Sequence, residues 1–223
     1  MFYKFCDDLI EETRLIFDAN IGYKFVVNRF LLWKKLFVSK KNILSEVEII
    51  GLIGELLFLK NYCFKKFGMQ DSLVGWTGME PTHKDFSYDD YWYEIKTKHV
   101  HIQTIKISSL EQLDSPLNGE LVVIDLEKMS PEFNGIKLNS LVIEIRNKLF
   151  NIEDADLFDY KLGQVGYEYN DDYDDYSYEL KKITKYKVTR QFPRILRNEI
   201  DDRIQKIQYE ISVNALTDFT IEE

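Results

Sequence analysis

The chain has 223 residues, of which 45% are hydrophobic and 30% charged, and this composition excludes a disordered or fibrous protein. Its 29 basic and 38 acidic residues give a formal net charge of −9, and its two cysteines form no C-x-x-C pair that would indicate a disulfide framework or a zinc knuckle. No apolar stretch approaches the roughly 18 residues of a membrane span. Asp7 and Asp8 lie where a signal peptide needs an apolar core, so we expect a cytoplasmic protein.

The first 68 residues are predicted to be helical. Apolar side chains recur at helical spacing through residues 1–44, with Gly22 separating two helices. Ser45 followed by Glu48 is a capping box, which predicts a new helix that ends near Gly68. This helix is apolar on almost every side, so we expect it to be buried, with Glu55 in its middle.

Strand and helix patterns alternate after this helix. Residues 85–107 follow a period of two that is typical of strands, and residues 121–124 form a short apolar run that predicts a buried strand. A capping box at Ser109 and Gln112 predicts a short helix between them, and residues 138–150 predict another helix. The pattern indicates an α/β domain with a mixed sheet.

The excess negative charge is concentrated in residues 151–180, which contain ten acidic residues and one basic residue. We expect a solvated loop there, with a small helix near Leu157. The rest of the chain has 28 acidic and 28 basic residues, and seven bases follow immediately within residues 181–197. Because a local basic patch is what phosphate binding needs, the net charge does not exclude a nucleic-acid partner.

The C-terminal part is predicted to be β-rich, with strands at residues 186–188, 192–194 and 207–213. No linker rich in Gly, Pro or Ser divides the chain, so we expect one domain with appended segments. These are an N-terminal helical segment at 1–44, a core at 45–150, an acidic Tyr/Asp-rich segment at 151–180 and the β-rich part at 181–223.

The most informative segment is a predicted hairpin over residues 83–98, with Asp89-Asp90 at the turn. In this register Asp85 lies directly opposite Glu94, and alternation places Lys96 on the same face. Two opposed carboxylates repel each other unless a cation lies between them, and carboxylate oxygens suit Mg²⁺ or Mn²⁺.

The same pattern also fits an ordinary half-exposed strand, in which charged and apolar residues alternate. Glu55 favours the metal site, because a glutamate on a buried helix needs a cation or a hydrogen-bond donor. A lysine beside the metal, such as Lys96, would then orient or deprotonate a water molecule.

Asp85, the Glu94-Ile95-Lys96 run and the preceding helix with Glu55 resemble the PD-(D/E)XK nuclease superfamily. Five stretches are similar to a bacterial branch known as PD-(D/E)XK motif proteins, and they span most of the chain from about Phe30 to Phe219. They are residues 51–59, 76–78, 83–86, 94–97 and 192–195. Lys84 replaces the superfamily's usual proline, and we expect an N-terminal region of longer members to be missing.

The resemblance implies a restriction-endonuclease-like core at residues 45–150, a mixed β-sheet flanked by helices. It implies a Mg²⁺- or Mn²⁺-dependent DNA endonuclease in which Glu55, Asp85 and Glu94 hold the metal and Lys96 positions the attacking water. The implied setting is bacterial restriction or anti-phage defence beside a methyltransferase or ATPase partner, with a homodimer as an open alternative. A non-catalytic DNA-binding or scaffolding subunit, and a nuclease for RNA or single strands, are the rival hypotheses.

Three further residues are candidates for DNA binding. His83 lies opposite Lys96 in the predicted register. Lys98 lies on the same strand face as Lys96, and Arg194 lies in the basic stretch. Each also has a structural interpretation, as a hydrogen-bond donor or a salt-bridge partner. Trp76 is interpreted as a packing residue, and His99 and His101 as part of a solvated strand.

Overall fold

The computed structural model describes residues 6, 9–10, 13–14, 18, 21–23, 25–27, 43–78 and 84–221. The chain divides into two units, Met1–Ile43 and Leu44–Glu223. In the first unit, residues 9–10, 21–23 and 25–27 have helical backbone, as the sequence predicts. Much of the predicted apolar stripe, including Phe30, lies outside the described residues.

The second unit is an α/β fold. Its helices are α1 (Glu46–Phe58), α2 (Phe64–Phe67), α3 (Met69–Gly75), α4 (Leu138–Lys148) and α5 (Ile152–Gln164). Its strands are β1 (Phe86–Ser87), β2 (Tyr91–His99), β3 (Thr104–Ile107), β4 (Asn118–Met129), β5 (Ser177–Lys187) and β6 (Tyr209–Ser212). Short 3₁₀ helices cover Leu110–Gln112, Asp171–Asp175, Arg197–Glu199 and Val213–Phe219. No helix in these described ranges is long and apolar enough to cross a membrane.

The capping box at the start of α1 is confirmed. The Ser45 hydroxyl accepts a hydrogen bond from the Glu48 backbone N–H, and the Glu48 carboxylate accepts one from the Ser45 N–H at 2.8 Å. A π-helical turn, Leu59–Cys63, joins α1 to α2. The helical run ends at Gly68, whose φ of 82° is a left-handed conformation that favours glycine.

Four strands form the main sheet in the order β1-β2-β4-β5, and β3 pairs with β6 in a second sheet. β2 and β4 run parallel, whereas β1 and β5 are antiparallel to their neighbours, so the predicted mixed sheet is confirmed. The predicted hairpin register is also confirmed, because Phe86 pairs with Tyr93 and Ser87 with Trp92. Since β1 is only two residues long, β2 from Glu94 onward forms an edge of the described sheet.

The two faces of the main sheet bury two separate cores. One face packs Tyr93, Ile95 and alternate residues of β4 against α1, α4 and α5. The other face packs Trp92, Leu121 and Val123 against β3 and β6. Alternation along β2 therefore sends successive side chains into different cores, and Glu94 and Lys96 belong to the face of Trp92.

The prediction for residues 151–180 was right about a helix near Leu157 and wrong about a solvated loop. The segment contains the 13-residue helix α5, a 3₁₀ turn and the start of β5. Ala155, Phe158 and Leu162 are buried at helical spacing, while most acidic side chains of the segment lie on its solvent side. Because of the acidic composition, the sequence predicted only a small helix where the structure has an amphipathic helix of 13 residues.

The C-terminal predictions were right in part. β6 lies within the predicted strand at residues 207–213, and β5 extends from Ser177 through most of the one at 186–188. Residues 192–194 form no strand; Phe192 donates from its backbone N–H to Thr189 in a turn. The short helix after Ser109 exists, but the serine does not cap it, because Gln112 accepts from Ser108 instead.

Candidate active site

The four residues of the predicted motif converge at the edge of the sheet where β1 begins. α1 carries Glu55, the turn before β1 carries Asp85, and β2 carries Glu94 and Lys96. A Cβ placed on Gly78 would lie 3.2 Å from both Asp85 Oδ1 and Glu55 Oε2, so this glycine lies against two of the carboxylates. The confirmed hairpin register places Asp85 opposite Glu94.

Two local features position Glu55. Gly54 brings α1 so close to β2 that a Cβ at this position would overlap the Thr97 hydroxyl. The buried Trp76 indole N–H then donates to Glu55 Oε2 at 2.7 Å. Trp76 was predicted to be a packing residue, and it also orients this carboxylate.

Backbone groups hold Asp85 from two sides. Its Oδ2 atom accepts a hydrogen bond from the Ile95 N–H at 2.7 Å. Its backbone carbonyl accepts from Thr77 at 2.9 Å and from Gly78 at 3.1 Å. The residue therefore links the segment after α3 to β2 and has little freedom to turn away.

Glu94 and Lys96 form a buried ion pair on one strand face. Glu94 is 1% exposed, and its Oε1 atom lies 2.8 Å from the Lys96 ammonium. Glu94 Oε2 is buried and has no hydrogen-bond donor among the described residues. A buried carboxylate oxygen without a donor is unfavourable, so this atom is the clearest indication that the site receives a further group.

The three carboxylates share a pattern, because the protein engages one oxygen of each. The described hydrogen bonds and ion pairs occupy Glu55 Oε2, Asp85 Oδ2 and Glu94 Oε1. The second oxygen of each group accepts no hydrogen bond and forms no ion pair among the described residues.

The clustering of these carboxylates changes their acidity. Burial, together with the neighbouring Asp85, raises the pKa of Glu94 to about 8. The same two causes raise the pKa of Glu55 well above its usual value, against the Trp76 hydrogen bond. Burial also raises the pKa of Asp85, although Lys96 and the Ile95 N–H oppose the change.

Lys96 remains an ammonium in this environment. Burial alone lowers the pKa of a lysine, but Glu94 and Asp85 outweigh it and raise the pKa of Lys96 above its usual value. The group is therefore a hydrogen-bond donor and a fixed positive charge.

A family model described as "Putative PD-(D/E)XK family member, (DUF4420)" matches residues 1–214. The chain belongs to this family. The predicted resemblance to the PD-(D/E)XK superfamily is thereby confirmed. No curated protein and no solved structure matches the chain.

PD-(D/E)XK nucleases usually use divalent metals. As placed, no three His, Cys, Asp or Glu side chains of the described residues enclose a metal site. The donor chemistry nevertheless fits a hard divalent cation, since Glu55, Asp85 and Glu94 each retain an oxygen and Glu94 Oε2 is buried without a donor.

Lys84, which occupies the family's proline position, is a structural residue that sequence reasoning missed. Its buried ammonium donates to the backbone carbonyls of Glu111 at 2.5 Å and Gln112 at 2.8 Å, and it lies 3.9 Å from the centre of the Trp92 ring. Burial lowers the pKa of Lys84 to about 8. It ties the chain before Asp85 to the loop after β3, a contact that no sequence pattern indicates.

The candidate DNA-binding residues do not form one group. Lys98 lies on the predicted face but pairs with Asp125 at 2.6 Å, and its side chain is 9% exposed. Arg194 donates to the Leu113 carbonyl at 2.6 Å, so its described contact is structural. His83 lies outside the described residues.

Proposed function

We propose that the protein is a Mg²⁺-dependent endonuclease that hydrolyses phosphodiester bonds of DNA. Membership of the PD-(D/E)XK family supports a nuclease. The observation that carries the proposal is the buried Glu94–Lys96 pair beside Asp85 and Glu55, with no donor to Glu94 Oε2 in the described part of the chain. An isolated structural ion pair has no need of two more carboxylates next to it.

In this proposal Glu55, Asp85 and Glu94 hold the cation through the oxygens that the protein leaves free. Mg²⁺, or Mn²⁺ in its place, supplies positive charge where negative charge gathers on the scissile phosphate. Trp76 and the Ile95 N–H keep two of the carboxylates oriented for this task.

Lys96 positions the attacking water or a phosphate oxygen by donating a hydrogen bond. Its raised pKa argues against a role as the general base, because an ammonium has no lone pair to accept a proton. The proton of the water therefore leaves to another acceptor, such as solvent or the phosphate.

Lys96→Ala tests the proposal. We expect the variant to lose cleavage of plasmid and of single-stranded DNA in Mg²⁺ or Mn²⁺ by about 10²-fold or more, as for other groups that act in the transition state. DNA affinity should stay within a few-fold of wild type. Lys65→Ala, which removes an exposed lysine of α2 outside the basic stretch, is the matched control and should cut normally.

Near-normal cleavage by Lys96→Ala would remove Lys96 from the mechanism. A large loss of affinity without a loss of maximal rate would make it a phosphate anchor. No cleavage by the wild type in either metal, with DNA still bound, would favour the alternative of a non-catalytic DNA-binding or scaffolding subunit.

We further propose that the protein acts in restriction of foreign DNA or anti-phage defence, with a methyltransferase or ATPase as partner. The support for this setting is the resemblance of its sequence blocks to bacterial PD-(D/E)XK motif proteins.

A further inference from the structure

A cleft of about 600 Å³ begins at Lys96 and follows the free edge of β2. Its walls are the first two turns of α1, the β2 residues from Ile95 to His99, and the segment around β3. Lys96 lines the cleft and also belongs to the candidate active site, so the cleft lies next to that site.

The lining of the cleft combines an aliphatic surface with positive charge. Val47 is 78% exposed at the helix wall and Ile102 is 39% exposed at the strand wall. Lys106 lies exposed on β3 within the same lining, and the one acidic member, Glu46, pairs with Lys128 at 2.7 Å. The mouth of the cleft thus offers an apolar surface with the exposed Lys106 at its border.

An aromatic pair lies at the far end of the cleft. His99 lines the cleft, and its ring stacks on that of His101 with 5.7 Å between centroids and 8° between planes. Imidazole rings are among the side chains on which unpaired bases stack. Of the two rings, that of His99 lines the far end of the cleft beside the aliphatic wall.

A DNA duplex does not match these features. It presents its sugar–phosphate backbone outward and keeps the faces of its bases stacked inside, where an aliphatic cleft cannot reach them. A volume of about 600 Å³ is that of a small-ligand pocket and suits unpaired nucleotides. Proteins that hold single strands combine cations for the backbone with apolar or aromatic surfaces for the bases.

We infer that the substrate is a DNA strand that is unpaired where it leaves the catalytic residues, and that this cleft binds its nucleotides. The inference rests on the proposed nuclease function and adds the substrate class. It makes Val47 and Lys106 specificity-determining residues, through contacts with a base or sugar and with a phosphate respectively.

Binding in EDTA tests the cleft without any need for cleavage. The probe is a fluorescent DNA oligonucleotide, single-stranded or annealed to its complement, with fluorescence anisotropy as the readout. We expect the single strand to bind at least about ten-fold more tightly, the affinity that one or two stacked bases provide. An RNA oligonucleotide of the same sequence shows whether the sugar matters.

Val47→Glu places a charge on the apolar wall, and should weaken single-strand binding about ten-fold. An acidic residue in the first turn of a helix is favourable, so the variant should fold. Ile143→Glu, at a half-exposed position on α4 outside the cleft, is the control and should stay within about two-fold.

Lys106→Thr removes the charge but keeps a strand-forming residue. It should weaken binding of the single strand. It should also reduce the slope of the logarithm of the association constant against the logarithm of the salt concentration by about 0.7, the value for one phosphate contact on a single strand. Lys65→Thr, which removes an exposed lysine of α2 outside both the cleft and the basic stretch, is the control and should leave the slope unchanged.

Equal or tighter binding of the duplex, or cleft variants that behave like their controls, would overturn the inference. Cleavage with Mg²⁺ separates it from the proposed function. If the protein cuts the duplex faster than the single strand, the cleft inference fails and the nuclease remains. If it binds the single strand through the cleft but cuts nothing, the nuclease fails and the binding site remains.

Discussion

Glu94 is the residue in which burial and function conflict most clearly. Its carboxylate lies 1% exposed, has Lys96 on one oxygen and no described donor on the other, and has Asp85 nearby. Such an arrangement destabilises the protein without a ligand, as active sites commonly do. This destabilisation should be measurable as a dependence of the free energy of unfolding on pH.

The pKa of Glu94 is about 8 in the folded protein and near its ordinary 4.5 in the unfolded chain. Between these values the folded state binds a proton that the unfolded state has lost, so stability falls as pH rises through this window. One such group changes the free energy of unfolding by at most about 1.4 kcal/mol per pH unit. Glu94→Gln should therefore flatten the decline.

Urea unfolding in EDTA between pH 5 and pH 8.5 provides the measurement. Glu55 and Asp85 have raised pKa values too, so part of the slope should survive in the variant. Parallel curves for Glu94→Gln and wild type would show that the Glu94 carboxyl does not hold a proton in the folded protein.

At the scale of elements, the close approach of α1 to β2 decides where Glu55 lies. Gly54 faces Thr97 with no room for a Cβ, whereas a Cβ on Gly51 would meet nothing within 4 Å. Both glycines lie in the same helix, one turn apart. They form an internal comparison between a glycine that packing requires and one that it does not.

Gly54→Ala should destabilise the protein by about 1–3 kcal/mol, because the helix must shift away from the strand. The shift should also lower cleavage, since it displaces Glu55 from Trp76. Gly51→Ala should be neutral or stabilising by up to about 1 kcal/mol, the gain in helix propensity. Urea midpoints measure the stability of the two variants, and cleavage rates measure their activity. Equal effects of the two substitutions would contradict the packing argument.

Sequence patterns predicted the elements whose cause is local. The alternation around Asp89-Asp90 gave the hairpin register, and Ser45 with Glu48 gave the start of α1. The contacts of Trp76 with Glu55 and of Lys84 with the loop after β3 join residues more than 20 positions apart, and no local periodicity encodes them. Helix α5 is longer than the small helix predicted near Leu157, because its acidic composition outweighed the spacing of its few apolar residues.

For the molecule as a whole, the candidate site lies where both cores meet the edge of the sheet. Glu55 comes from the helix on one face, while Glu94 and Lys96 belong to the opposite face. A cation held by all three carboxylates would tie these layers together. Because it binds only the folded state, it should raise the stability of the whole second unit.

Thermal melting with added metal shows whether Glu55, Asp85 and Glu94 form a divalent metal site. Millimolar Mg²⁺ or Mn²⁺, alone or with a short DNA, should raise the melting temperature of the wild type. Asp85→Asn should abolish the rise and, because it relieves repulsion, be at least as stable as wild type in EDTA. A wild-type melting temperature that ignores both metals even with DNA present would contradict the account.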